Sequence, residues 1–134
     1  MIFWGPPGTG KTTVAFLISK AIDAEFFHLS GVISRKEDMT KIISRARTNF
    51  PGGRPTIVFL DEIHRWNKAQ QDVLLPFVEK GIIVLIGATT ENPSFTINNA
   101  LLSRVRVYTF RQVSPASVFS LFQTRKDTIL SRFE

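Results

Sequence analysis

The 134-residue chain predicts an α/β fold, a parallel sheet of five strands flanked by helices. Three observations carry that expectation. Short apolar runs alternate with longer amphipathic stretches, as in sheets covered on both faces. The octet Gly5-Pro6-Pro7-Gly8-Thr9-Gly10-Lys11-Thr12 stands directly between an apolar run and a helical pattern. A second apolar run, Ile57 to Leu60, ends in two adjacent carboxylates, Asp61 and Glu62.

The first strand is Met1 to Trp4, and a helix from Lys11 to about Ile22 follows the octet, with Val14, Leu17, Ile18 and Ala21 recurring at helical spacing. Glu25 to Leu29 is the second strand. Ser34 is the expected cap of a helix reaching Thr48, with Glu37 in capping-box position and Met39, Ile42, Ile43 and Ala46 on one side. The stretch Phe50-Pro51-Gly52-Gly53-Arg54-Pro55 breaks that helix before the third strand, Thr56 to Leu60. Asn67 caps a helix that runs to Lys80, kinked at Pro76, with Val73, Leu74, Phe77 and Val78 as its buried stripe. The fourth strand is Ile82 to Gly87. A short helix at Asn98 to Ser103 precedes the fifth, Val105 to Phe110, and Ser114-Pro115 opens a last helix with proline in its first turn.

Composition narrows the class. An apolar content of 43% in one compact length suits a single globular domain. The run Ile82 to Ile86, extended to Ala88 through Gly87, is far short of the roughly 18 to 20 residues that span a bilayer. With no cysteine and no basic-then-apolar leader pattern, nothing points to secretion, so a cytoplasmic setting is expected. The net charge of +6 is concentrated in two segments, Arg35 to Arg54 and Arg104 to Glu134. That concentration suits both a polyanion-binding surface and a solvated helix face, and charge alone does not separate them.

The octet is a full match to the pattern of Gly, four residues, Gly-Lys-Thr that cradles phosphates. Gly8 and Gly10 let backbone N–H groups approach phosphate oxygens, and the helix starting at Lys11 aims its positive dipole end at the same place. Lys11 is expected to reach the β- and γ-phosphates of a nucleoside triphosphate. Thr12 offers a hydroxyl to Mg²⁺, and Pro6 and Pro7 stiffen the loop. Asp61 is expected to hold Mg²⁺ through water, and Glu62 to orient and deprotonate the attacking water. The cofactor-binding set is therefore Gly5, Pro6, Pro7, Gly8, Thr9, Gly10, Lys11, Thr12, Thr13 and Asp61. His28 and His64 lack partners at ligand spacing and read as structural. Trp4 and Trp66 are isolated aromatics rather than a stacking series.

Together the two motifs resemble those of AAA+ ATPases, and Asp61-Glu62-Ile63-His64-Arg65 resembles the clamp-loader and Holliday-junction-motor branch. Two longer stretches, His64 to Asp72 and Gly87 to Phe95, are similar to the replication-associated recombination protein A family, whose eukaryotic relative is the Werner-helicase-interacting protein. Trp66 stands where that family has Phe. The likeness covers residues 1 to about 110. It implies a P-loop NTPase AAA+ core that binds ATP with Mg²⁺, hydrolyses it, and acts in replication and recombination repair at stalled forks or DNA ends. Thr90 falls where the family has its sensor of the γ-phosphate, with Thr89 and Asn92 as alternatives. Leu101-Leu102-Ser103-Arg104 resembles the Ser-Arg element, which makes Arg104 an arginine finger acting on a neighbouring subunit and implies a homo-oligomer. Ser30 resembles the polar switch that restrains the catalytic Glu. DNA and replication or repair proteins are the implied partners.

The likeness makes residues 1–111 a nucleotide-binding core, and the apolar spacing of residues 112–134 reads as an amphipathic helical segment, expected as a remnant of the lid entry. The family's adenine-contacting N-terminal segment and lid domain are not visible in the sequence, and Arg125 and Arg132 do not match its second sensor. The chain thus reads as a catalytic core, lid domain absent, cut from a longer protein. An alternative from another class is a weakly hydrolysing or non-hydrolysing module that caps or regulates an assembly.

Overall fold

A computed structural model describes residues 1–112 and Ala116. Five strands form one parallel sheet: β1 (Ile2–Trp4), β2 (Glu25–Ser30), β3 (Thr56–Asp61), β4 (Val84–Thr89) and β5 (Val107–Thr109), in the spatial order β2-β3-β4-β1-β5. The helices are α1 (Lys11–Ala21), α2 (Lys36–Asn49), α3 (Lys68–Asp72), α4 (Leu75–Glu79), α5 (Pro93–Thr96) and α6 (Asn99–Leu102). The expected last helix from Ser114 lies outside the described residues.

Side-chain alternation along β3 builds two cores. Ile57 and Phe59 point to one face, where they pack with Phe3, Ile86, Ala88 and Ala15 of α1. Val58 and Leu60 point to the other, against Met39, Ile42, Ile43 and Ala46 of α2 and against Ile63, Leu74, Ile97 and Leu101. Thr56 to Leu60 are all buried, and each large apolar side chain among them, Ile57 to Leu60, contributes roughly 1.5–3 kcal/mol. That burial fixes the end of β3, which is where the carboxylates stand.

The crossovers set the cleft. From β1 the chain leaves through α1 on one face, whereas the connection from β4 through α5 and α6 packs on the other, with Leu101 in the second core. Neighbouring strands whose connections part to opposite faces leave a crevice at their carboxyl ends.

Several expected boundaries move. The buried line of α1 is Lys11, Ala15 and Ser19 with Ile18 half-buried, while Val14 and Leu17 are exposed. Lys11 joins the buried line because its ammonium folds back onto the preceding loop, donating to the Gly5 and Pro6 carbonyls. α2 begins at Lys36, two residues after Ser34. Its capping carboxylate is Asp38, which accepts from the Arg35 N–H at 2.7 Å, rather than Glu37. Ser34 Oγ instead accepts from the Ser30 N–H at 2.9 Å.

The single helix expected from Asn67 to Lys80 is two short ones. Pro76 has no N–H to give the Asp72 carbonyl and its ring crowds that position, so α3 stops at Asp72 and α4 starts afresh at Leu75. Val73, at the break, is exposed instead of buried. β4 begins two residues later than expected and runs on to Thr89, and β5 is confined to Val107–Thr109.

Candidate active site

Gly8 and Gly10 adopt φ of 75° and 86°, a left-handed backbone that glycine takes at no steric cost. Gly10 is the N-cap of α1, so the loop delivers the chain into the helix with its N–H groups turned outward. At the loop's root, Gly5 donates its N–H to the Thr89 carbonyl at 3.0 Å and lies so close to β5 that a Cβ there would meet the Phe110 carbonyl oxygen at 2.4 Å. The root of the loop is thereby bonded to β4 and packed closely against the exit of β5.

Loop and strand ends enclose a cleft of about 640 Å³, lined by Pro7, Gly8, Thr9, Gly10, Lys11, Thr12, Thr13, Asp61, Glu62, Thr89 and Thr90. Most of the expected site residues therefore meet in one place. Gly5 and Pro6 do not line it; their carbonyls accept from Lys11 Nζ at 2.7 Å each, and the Pro6 carbonyl also accepts from Thr9 Oγ1 at 2.8 Å. Burial pushes the Lys11 ammonium below its ordinary pKa, and the nearby Asp61 carboxylate partly restores it. A desolvated cation resting on two carbonyls has a strong preference for an anionic ligand.

Asp61 closes β3, and its Oδ1 accepts from the Glu62 N–H at 2.9 Å. Glu62 has φ 53° and ψ 46°, a conformation uncommon for residues other than glycine. Immediately after it, the 3₁₀ turn Ile63–Arg65 buries Ile63 completely.

At the end of β4 the two threonines divide their roles. Thr89 is buried; its hydroxyl meets His64 Nδ1 at 3.0 Å and accepts from the Glu91 N–H at 3.0 Å. Thr90, just beyond the strand, is exposed and lines the cleft. Asn92 caps α5 through an acceptor bond from the Ser94 N–H. Through its bond to Thr89 the His64 ring fastens the segment after Glu62 to β4. His28 is exposed and sets its ring edge against Phe59.

Arg104 stands apart from this group. It follows α6, outside the lining of the cleft. Its Nε donates to Glu79 at 2.8 Å and its terminal nitrogen donates to Ser103 Oγ at 2.8 Å, with its side chain 48% exposed. The Ser30 hydroxyl accepts from the Val32 N–H at 3.2 Å, so its bond lies inside the β2–α2 loop; the residue of that loop that abuts Glu62 is Gly31.

Two contributors had no clear sequence signal. One is Gly31, which looks like any small residue at a strand end. The other is Gln71, fully buried, whose amide donates to the Trp66 and Thr96 carbonyls at 3.0 and 2.9 Å and accepts from the Asn98 N–H at 2.7 Å. It ties α3 to the connection that carries Arg104, and only the three-dimensional meeting of those loops reveals it.

Residues 1–113 match the family described as ATPase family associated with various cellular activities (AAA). The chain is 52% identical over 123 residues to Replication-associated recombination protein A of Haemophilus influenzae, covering 92% of this chain and 28% of that protein. Against the protein of the same name from Escherichia coli K12 the identity is 52% over 118 residues, 88% of this chain and 26% of the relative. The ATPase WRNIP1 of Dictyostelium discoideum is 48% identical over 122 residues, 91% of this chain and 14% of that protein. The chain thus spans about a quarter of the length of the bacterial relatives. Among solved structures, the Thermotoga maritima RuvB Holliday junction branch migration motor superposes with a TM-score of 0.58 at 28% identity, over 83% of this chain and 36% of that one.

Proposed function

The chain belongs to the AAA ATPase family, and from that premise we propose that it binds and hydrolyses ATP with Mg²⁺ as part of a replication and recombination-repair assembly. The observation that carries the reading is the meeting of Lys11, Thr12, Asp61, Glu62 and Thr90 in one cleft under a glycine loop with open space at Gly8 and Gly10.

The residues present fit the ligands. Lys11 would exchange the Gly5 and Pro6 carbonyls for phosphate oxygens. The Thr12 hydroxyl would hold Mg²⁺ directly and Asp61 through water. Phosphate oxygens and water would supply the other positions, as suits a cation that dehydrates reluctantly. When bound, Mg²⁺ neutralises charge on the phosphates. Glu62 would orient a water toward the γ-phosphate and take its proton as the water oxygen bonds to phosphorus and the bond to the departing ADP breaks, and Thr90 would hold that water and the phosphate. Arg104 serves the site of a neighbouring copy, so the working unit is a homo-oligomer.

The wider role draws on the relatives: proteins named for replication-associated recombination, and a motor named for branch migration at Holliday junctions. We assign this chain a DNA partner, met through its basic segments in the cytoplasm. If those segments track phosphates, affinity falls by about 0.9 log unit per tenfold salt for each duplex phosphate contacted. A salt-independent affinity would assign them to a protein partner.

The reading is tested by separating binding from chemistry. Lys11→Ala is expected to lose nucleotide binding, and Glu62→Gln to keep binding and lose hydrolysis. Unchanged turnover in Glu62→Gln would refute the mechanism.

A further inference from the structure

Among the described residues, Asp23 and Glu62 are the non-glycine residues with positive φ. Asp23 sits in the turn after α1, where a short polar side chain tolerates such a backbone. Glu62 has no such excuse, and a residue stays in that region only where its surroundings hold it there. Three of the restraints are local. Asp61 Oδ1 accepts from the Glu62 N–H, the Glu62 carbonyl accepts from the Arg65 N–H at 2.9 Å, and Ile63 is anchored in the core.

The fourth restraint comes from another strand. Past the Ser30–Asp61 pair that ends the β2–β3 ladder, Gly31 adds one more rung, its N–H donating to the Asp61 carbonyl at 2.7 Å. This rung presses the Gly31 Cα onto the peptide that joins Glu62 to Ile63. A Cβ at Gly31 would lie 2.2 Å from the Glu62 carbonyl oxygen, 3.0 Å from its carbon and 3.2 Å from the Asp61 oxygen. All three are backbone atoms of the segment that aims Glu62, and none belongs to the phosphate loop.

We propose that Gly31 is a positioning residue for hydrolysis: its bare Cα lets the exit of β2 close on the 62–63 peptide, and that closure holds Glu62 in the left-handed pose that turns its carboxylate into the cleft. The proposal rests on Glu62 as the base. It also separates two functions physically, because bulk at Gly31 strikes the backbone of the base while leaving Gly8 to Thr13 untouched.

In the full chain, Gly31→Ala is expected to keep its dissociation constant for a fluorescent ATP analogue within about threefold and to lose about 100-fold in turnover at saturating ATP, the scale of a 1 Å misplacement. Gly52→Ala, with nothing within 4 Å of the added methyl, is expected to keep both. Retained turnover in Gly31→Ala, or binding lost in proportion to turnover, overturns the proposal. A thermal-unfolding cycle with Glu62→Gly tests the contact without any catalysis. Glycine at position 62 lets the peptide swing away, so Gly31→Ala should lower Tm less in that background. Equal losses in both backgrounds overturn the proposal. If Gly31→Ala does not fold, Glu62→Gly should rescue it, and a double variant that also stays unfolded contradicts the contact. An intact cycle beside unchanged turnover in Glu62→Gln would leave the clamp standing and remove the catalytic reading.

Discussion

The floor of the cleft and the β4–β5 connection hold their functional side chains by opposite means. Asp61, Glu62 and Thr90 stand at or just past the ends of strands whose bodies are almost wholly buried, and their aim is inherited from the sheet. Arg104 follows two helices of four residues each, which are held by polar caps from Asn92 and Asn98 and by the buried amide of Gln71. Its guanidinium is half exposed and leans on one partly exposed carboxylate, Glu79. A strand end is rigid and can act only inward. A polar-capped connection can present a cation outward to a site elsewhere, and it relies on a few hydrogen bonds to do so.

The largest expected effect that sharpens this contrast is Arg104→Ala. Turnover in the assembled state should drop by about 10³ or more while nucleotide affinity of the protomer is unchanged. An equal loss in dilute protomer would put Arg104 in its own site and erase the contrast. Next is Gln71→Leu, which keeps most of the volume and strands the Asn98 N–H and two carbonyls. About 3 kcal/mol of stability should be lost in denaturant unfolding, with the concentration-dependent part of turnover weakened more than nucleotide binding. Nucleotide binding that weakens first would show the two regions to be one.

Sequence and structure agree best where burial dominates. The order of strands along the chain, the glycine loop between β1 and α1 and the placing of Asp61 and Glu62 at the end of β3 are legible because apolar runs and glycine spacing are local signals. The legibility stopped where polar bonds reach across the fold. Val14 and Leu17 face outward despite their helical spacing, and the buried line of α1 instead starts at Lys11, whose ammonium bonds the Gly5 and Pro6 carbonyls. Pro76 divides one expected helix because the carbonyl it crowds lies four residues back. Both Thr89 and Thr90 line the cleft, and that Thr89 is engaged while Thr90 stays exposed depends on the His64 ring, which reaches Thr89 from another segment. Gly31 and Gln71 act through contacts that no periodicity announces.

Two smaller effects probe what holds the outward cation and the outer edge of the sheet. Glu79→Gln weakens the carboxylate that anchors Arg104 Nε. For an exposed pair worth up to about 1 kcal/mol, concentration-dependent turnover should change no more than about fivefold, with the nucleotide dissociation constant unmoved. A change as large as that of Arg104→Ala would mean that Glu79 itself enters the neighbouring site. At the sheet edge, the Glu25 carboxyl is held below its ordinary value of 4.5, chiefly by the amide of Asn49 and also by Arg45. A depressed carboxylate adds stability above its unfolded pKa and loses it as pH falls through the folded one. Wild type should therefore exceed Glu25→Gln in Tm near neutral pH by an amount worth less than about 1 kcal/mol, and the gap should close on acidification below 4.5. A gap that widens in acid would reverse the assignment.

The division between inward base and outward finger is tested most directly by mixing two inactive proteins. Glu62→Gln keeps its arginine and lacks the base; Arg104→Ala keeps its base and lacks the arginine. Turnover is measured at fixed Arg104→Ala as Glu62→Gln is titrated in. A rate that climbs from near zero, as Arg104 of one copy completes the site of the other, is the expected result. A rate that stays flat under conditions where wild-type turnover per protomer rises with concentration would contradict a site shared between subunits.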